Sequence, residues 1–84
     1  MYSYNISKEV DEIAFQDACR LIGENVQGIC ETYCLEDVDG TQIQVYKTSN
    51  GEITIFNDYE VGAVYANSDL NLDLIVLPLW KRIK

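Results

Sequence analysis

The chain is 84 residues long and 48% hydrophobic, enough for one domain over residues 1–84 and too apolar to remain disordered. Its 14 acids face only six bases, a net charge of −8, and three of those bases, Lys81, Arg82 and Lys84, fall in the last four residues. Such a body repels nucleic acid and anionic lipid and attracts basic surfaces, although acidity also keeps a small domain soluble.

Residues 2–6, rich in aromatic and β-branched types, read as a short first strand. Ser7 is a natural N-cap, with Glu9, Asp11 and Glu12 in the first turns where they favour the positive helix end. Val10, Ala14, Phe15, Ala18, Leu21 and Ile22 recur at helical spacing and Gly23 offers a C-cap, which predicts a helix over residues 8–22. After Gly28 the period becomes two. Residues 29–36 set Ile29, Glu31, Tyr33 and Leu35 against Cys30, Thr32 and Cys34. In residues 41–47, Ile43 and Val45 oppose Gln42, Gln44 and Tyr46. Asn50–Gly51 is a hairpin signal ahead of Ile53 and Ile55, and Asp39–Gly40 is another. Residues 61–66 make a further strand. Residues 69–77 alternate most regularly, with Leu70, Leu72, Leu74 and Val76 on one face. The expected fold is α+β: a single N-terminal helix packed on an antiparallel sheet of four to five strands, in the order (β)αββββ. Residues 79–84 form a short basic tail whose Leu79, Trp80 and Ile83 are expected to dock on the domain.

Metal and catalytic motifs fail on residue type. Aligning Gly40 with the invariant glycine of a helix–loop–helix calcium loop brings Asp37 and Asp39 to ligand positions. It also puts Leu35 and Tyr46 where the first and last ligands belong. Zinc wants four Cys or His ligands, and the chain has three cysteines and no histidine. On a strand, Cys30 and Cys34 stand about 13 Å apart, too far for a shared ion or a disulfide. Without histidine no Ser or Cys has a base, and Asp58 and Glu60 sit in a polar turn that raises no carboxylate pKa. No glycine-rich phosphate loop follows a strand. The expectation is a protein without catalytic residues, cofactor or metal. The longest apolar run, residues 74–80, holds Pro78 and is far short of a membrane span. No basic leader precedes an apolar stretch, and the odd cysteine count argues against a disulfide scaffold, which points to the cytoplasm.

Surface recognition is what remains. Glu36, Asp37 and Asp39 crowd one hairpin end, Asp58 and Glu60 another turn, and Glu9, Asp11, Glu12 and Asp17 the helix. Carboxylates at strand spacing imitate a row of phosphates to a basic channel. Tyr46, Tyr59 and Phe56 are candidate aromatic anchors beside them. The expected partner is therefore a basic protein surface on a nucleic-acid-handling enzyme or complex. In size, acidity and lack of catalytic residues the chain resembles small phage-encoded anti-defence proteins, anti-CRISPRs among them. That resemblance implies an inhibitor or nucleic-acid-mimicking decoy. The alternative is a homo-oligomeric structural or regulatory subunit, a homodimer in the simplest case, associating through a sheet face that carries Cys30, Cys34, Tyr46 and Phe56.

Overall fold

Two residues compete to start the helix, and Asp11 wins over Ser7. In a computed structural model of the protein, which describes residues 1–76 and 80–83, Ser7 is the last residue of strand β1 (Tyr2–Ser7). Helix α1 spans Glu12–Asn25 and is capped by extended Asp11, whose Oδ1 accepts the Ala14 N–H at 3.0 Å. That bond satisfies one of the helix's orphan donors. The predicted start at residue 8 is therefore too early. Gly23 lies inside the helix, and termination falls to Val26, which is extended while its N–H still bonds the Ile22 carbonyl at 3.0 Å.

Four strands follow as an antiparallel meander: β2 (Ile29–Glu36), β3 (Gln42–Thr48), β4 (Gly51–Asp58) and β5 (Ala63–Ser68). Strand β1 returns beside β5, and β6 (Lys81–Ile83) lies outside β1, so the sheet order is β2-β3-β4-β5-β1-β6. The fold is α+β, with the strands in the expected sequence order.

Residues 69–77 do not form the strand that their alternation predicts. Ser68 Oγ both accepts from and donates to the backbone of Leu70, and Asn71 Oδ1 accepts the Asp73 N–H at 2.9 Å. These local bonds bend the chain into a turn and open the short helix α2 (Asp73–Val76). Leu72 and Val76 are buried at helical spacing, while Leu74 is fully exposed. Leu77 lies outside the described residues. Of the tail, so do Leu79 and Lys84; Trp80 is buried against the Tyr4 ring, and residues 81–83 are β6.

The core lies between one sheet face and α1, which contributes Phe15, Ala18 and Ile22. Ile53, Ile55, Val64 and Ala66 are wholly buried beneath it. Tyr46 joins them, contrary to its expected place on an outward face. Only 6% of it is exposed, and its hydroxyl donates to the Cys19 carbonyl at 2.7 Å. Val45 is equally buried, so β3 is apolar on both faces and its alternation could not tell inside from outside. Among the described residues the opposite sheet face carries no helix, and its central row runs Leu35, Ile43, Phe56, Tyr65 across four strands. Among the described residues no helix is long and apolar enough to cross a membrane.

Candidate partner-binding surface

The meander sends the β2–β3 and β4–β5 connections to the same end of the sheet. Thr41 joins them: its carbonyl accepts the Asp37 N–H at 2.8 Å and its hydroxyl accepts the Tyr59 N–H at 3.0 Å. The first connection is a three-residue loop, not the two-residue turn that Asp39–Gly40 suggests. Gly40 N–H bonds the Asp37 carbonyl at 3.1 Å, and Gly40 alone has a positive φ, +92°. The Tyr59 ring lies over Gly40, so that a Cβ there would meet it at 3.8 Å, and the tyrosine stays 49% exposed.

The start of α1 reaches this end as well. Asn57, fully buried at the end of β4, accepts the Asp11 N–H on Oδ1 at 3.1 Å and donates Nδ2 to Gln42 Oε1 at 3.1 Å. Three loops therefore lie at one end of the sheet: residues 8–11, 37–41 and 59–62. They and their flanks carry Glu9, Asp11, Glu12, Glu36, Asp37, Asp39, Asp58 and Glu60, eight of the chain's 14 carboxylates, with Lys8 the only base among them. Val10, Val38, Tyr59 and Val61 are exposed between the acids. The outcome is an acidic end studded with apolar side chains.

These carboxylates are not equivalent. Asp58 is committed to its own turn: Oδ1 accepts the Glu60 and Val61 N–H groups at 3.0 and 3.1 Å, and Oδ2 accepts the Tyr65 hydroxyl at 2.8 Å. Those bonds, the tyrosine's foremost, hold its carboxyl below the usual carboxylate range. Tyr65 is pushed up to about 12 by burial and by the same bond. Asp37 and Asp39 each give one oxygen to a backbone N–H, of Val38 and Thr41, and keep the other. Asp17, grouped with the helix acids on sequence, lies farther along α1 and pairs with Arg20 at 3.0 Å.

Of the three aromatic candidates, Tyr59 alone stands at the acidic end with its ring exposed. Phe56 stacks on Tyr65 with centroids 4.7 Å apart on the open sheet face, one row below the turn. Tyr46 is under α1. The sheet face expected for self-association does not exist as one surface, because Phe56 faces away from the helix and Tyr46 toward it. Cys19 is pushed up to about 11, chiefly by burial, which leaves it a poor nucleophile at neutral pH. Among the described residues no three His, Cys, Asp or Glu side chains converge as for a metal ion. The single carboxylates and turns were visible in the sequence. That residues 8–11 join them was not, since it depends on β1 returning to the far side of β5. Comparison with protein-family models, with curated proteins and with solved structures finds no match for the chain.

Proposed function

We propose that the protein is a small non-catalytic binding protein whose acidic end docks in a basic groove, of the kind a nucleic-acid-handling enzyme offers to phosphate. Carrying this reading is the convergence of eight carboxylates from three loops around an exposed tyrosine. Concentrated charge of one sign speeds encounter with the opposite sign, and an exposed aromatic ring within it supplies short-range contact energy. Glu36, Asp37, Asp39 and Glu60 make the electrostatic contacts, Tyr59 is the anchor, and Phe56 with Tyr65 extends the surface onto the open sheet face. Asp58 shapes the turn that presents Tyr59 and Glu60. In this reading the protein is a decoy or inhibitor that occupies its partner's nucleic-acid channel.

Immobilised protein is exposed to cell lysate at about 0.05 and 0.3 M salt, a range over which contacts between exposed charges are progressively screened, and then to competing duplex DNA. The expected retained proteins are basic, are displaced by DNA, and are lost with Glu36→Gln/Asp37→Asn/Asp39→Asn/Glu60→Gln. They survive the control Glu24→Gln/Glu52→Gln, which removes charge elsewhere. Retention indifferent to salt, DNA and the fourfold variant would sink the proposal.

A further inference from the structure

We propose that β2 is a docking edge for a second copy of the chain, the two β2 strands pairing antiparallel about a two-fold axis through Tyr33. The inference goes beyond the acidic-end reading and does not depend on it. Among the described residues strand β2 is terminal in the sheet and bonded only to β3. Six of its eight residues are exposed, including Leu35 at 52%. Edges of this length are usually blunted by proline, by lysine or by a bulge. Strand β2 has neither proline nor lysine, and its register shift is confined to Ile29–Glu31, leaving Glu31–Glu36 in unbroken register.

The phase of the ladder identifies the groups that a second strand would meet. The Asp37 N–H bonds the Thr41 carbonyl, and hydrogen-bonded pairs alternate along an antiparallel ladder. Odd-numbered residues 31, 33 and 35 therefore bond to β3. Thr32, Cys34 and Glu36 turn their N–H and C=O groups to the free edge. A two-fold must then pass through a residue, and three registers compete. Centred on Cys34, it sets Glu31 against Asp37 twice, a like-charge clash. Centred on Thr32, it sets Cys34 against Cys30, where the register shift breaks the ladder.

Centred on Tyr33, the pairing uses only the regular stretch. Thr32 of each copy meets Cys34 of the other and makes four main-chain bonds, and Glu31 lies beside the exposed Leu35. Tyr33 meets Tyr33, each ring with its own Lys47 ammonium 5.6 Å from the centroid. Lys47 also pairs with Glu31 at 3.9 Å, so two lysines and two glutamates balance at the centre. Antiparallel pairing finally sends the two acidic ends to opposite poles of a continuous sheet. This is the arrangement that least opposes association of two chains of charge −8.

Light scattering across protein concentration, with amide exchange by NMR, tests the proposal. The expected result is a mass rising to twice 9.6 kDa, with protection appearing at Thr32 and Cys34 as the dimer forms. Cys34→Pro removes an outward N–H, and Tyr33→Lys places like charges at the axis. Each should weaken the dimer about tenfold or more, the scale of losing one or two main-chain bonds; Tyr33→Lys covers the case in which proline impairs folding. A single-chain mass at all concentrations overturns the proposal, as does a dimer in which those two amides still exchange freely. So does protection that appears only with an added alternating lysine–valine octapeptide while the mass stays at one chain, which would make the edge a seat for an extended basic segment.

Discussion

Glycine at position 51 is fixed by steric exclusion, and this separates it from the glycine of the acidic loop. Its φ is +139°, and a Cβ would stand 2.5 Å from the Asp69 Cβ. Asp69 is held there by two bonds to Glu52, accepting its N–H on Oδ2 at 3.0 Å and donating its own N–H to the Glu52 carbonyl at 2.9 Å. Gly51→Ala is expected to cost about 2–4 kcal/mol, joining backbone strain to a clash with an anchored neighbour. Gly40→Ala, with φ +92° but ordinary contact to Tyr59, should cost about 1 kcal/mol. Urea unfolding of both variants checks the order, and equal losses would show that the Asp69 contact yields. Asp58 and Tyr65 form the second residue-scale test. The Asp58 pKa is depressed in the fold, so its contribution is present above the unfolded value, about 3.9, and is lost as pH falls through the folded one. Tyr65→Phe removes the chief cause of that depression. Acid unfolding should then begin at higher pH, with the Asp58 carboxyl titrating higher by NMR. On the alkaline side the Tyr65 contribution is present below the unfolded tyrosine value, about 10, and fades as pH rises through about 12.

Helix α1 is held to the sheet by packing along its length and by polar ties, Asn57 at its first turn and the Tyr46 hydroxyl at Cys19. Asn57→Ala should lower stability by about 1–3 kcal/mol, because Gln42 loses its partner and a buried space opens. The faster exchange should begin at the amides of Ala14 and Phe15. Tyr46→Phe should cost about 0.5–1.5 kcal/mol and act in the middle of the helix. Uniform loss of protection over the whole chain in both variants would show that the ties are not local. These same ties explain what the sequence concealed. Ser7 and Asp11 are both good caps, and the choice depends on an asparagine 46 positions away. Tyr46 alternates with glutamines yet goes inside, because its hydroxyl finds a helix carbonyl. The strands β2 to β5 were legible from their period and their glycine turns, which are local signals. The strand expected over residues 69–77 failed because Ser68 and Asn71 bond their own backbone, and i,i+4 burial of Leu72 and Val76 fits the alternation as well as a strand does.

At the scale of the whole molecule, charge is distributed unevenly. The six carboxylates away from the acidic end are spread out, and among the described residues Arg20 reaches Asp17 and Glu24 while Lys47 reaches Glu31. The eight at the acidic end have only Lys8 within their own loops and flanks. Like charges gathered on three adjoining loops oppose folding, and a surface selected only for stability would interleave them with lysine. If recognition is what maintains the cluster, removing charge there should stabilise the fold while weakening partner capture. Among the described residues neither the Glu36 nor the Glu60 carboxylate caps a helix or accepts a hydrogen bond, so Glu36→Gln/Glu60→Gln isolates the repulsion. Its Tm should rise by about 2–4 °C at ~0.01 M salt, corresponding to roughly 0.5 kcal/mol for a domain of this size. The gain should shrink to about 1 °C or less at ~0.5 M, where the screening length is only a few ångströms. The control Glu24→Gln, which loses its Arg20 pairing, should not share the gain. A double variant no more stable than the parent at low salt would mean that the cluster carries no strain, and its acidity would then be ordinary solvation.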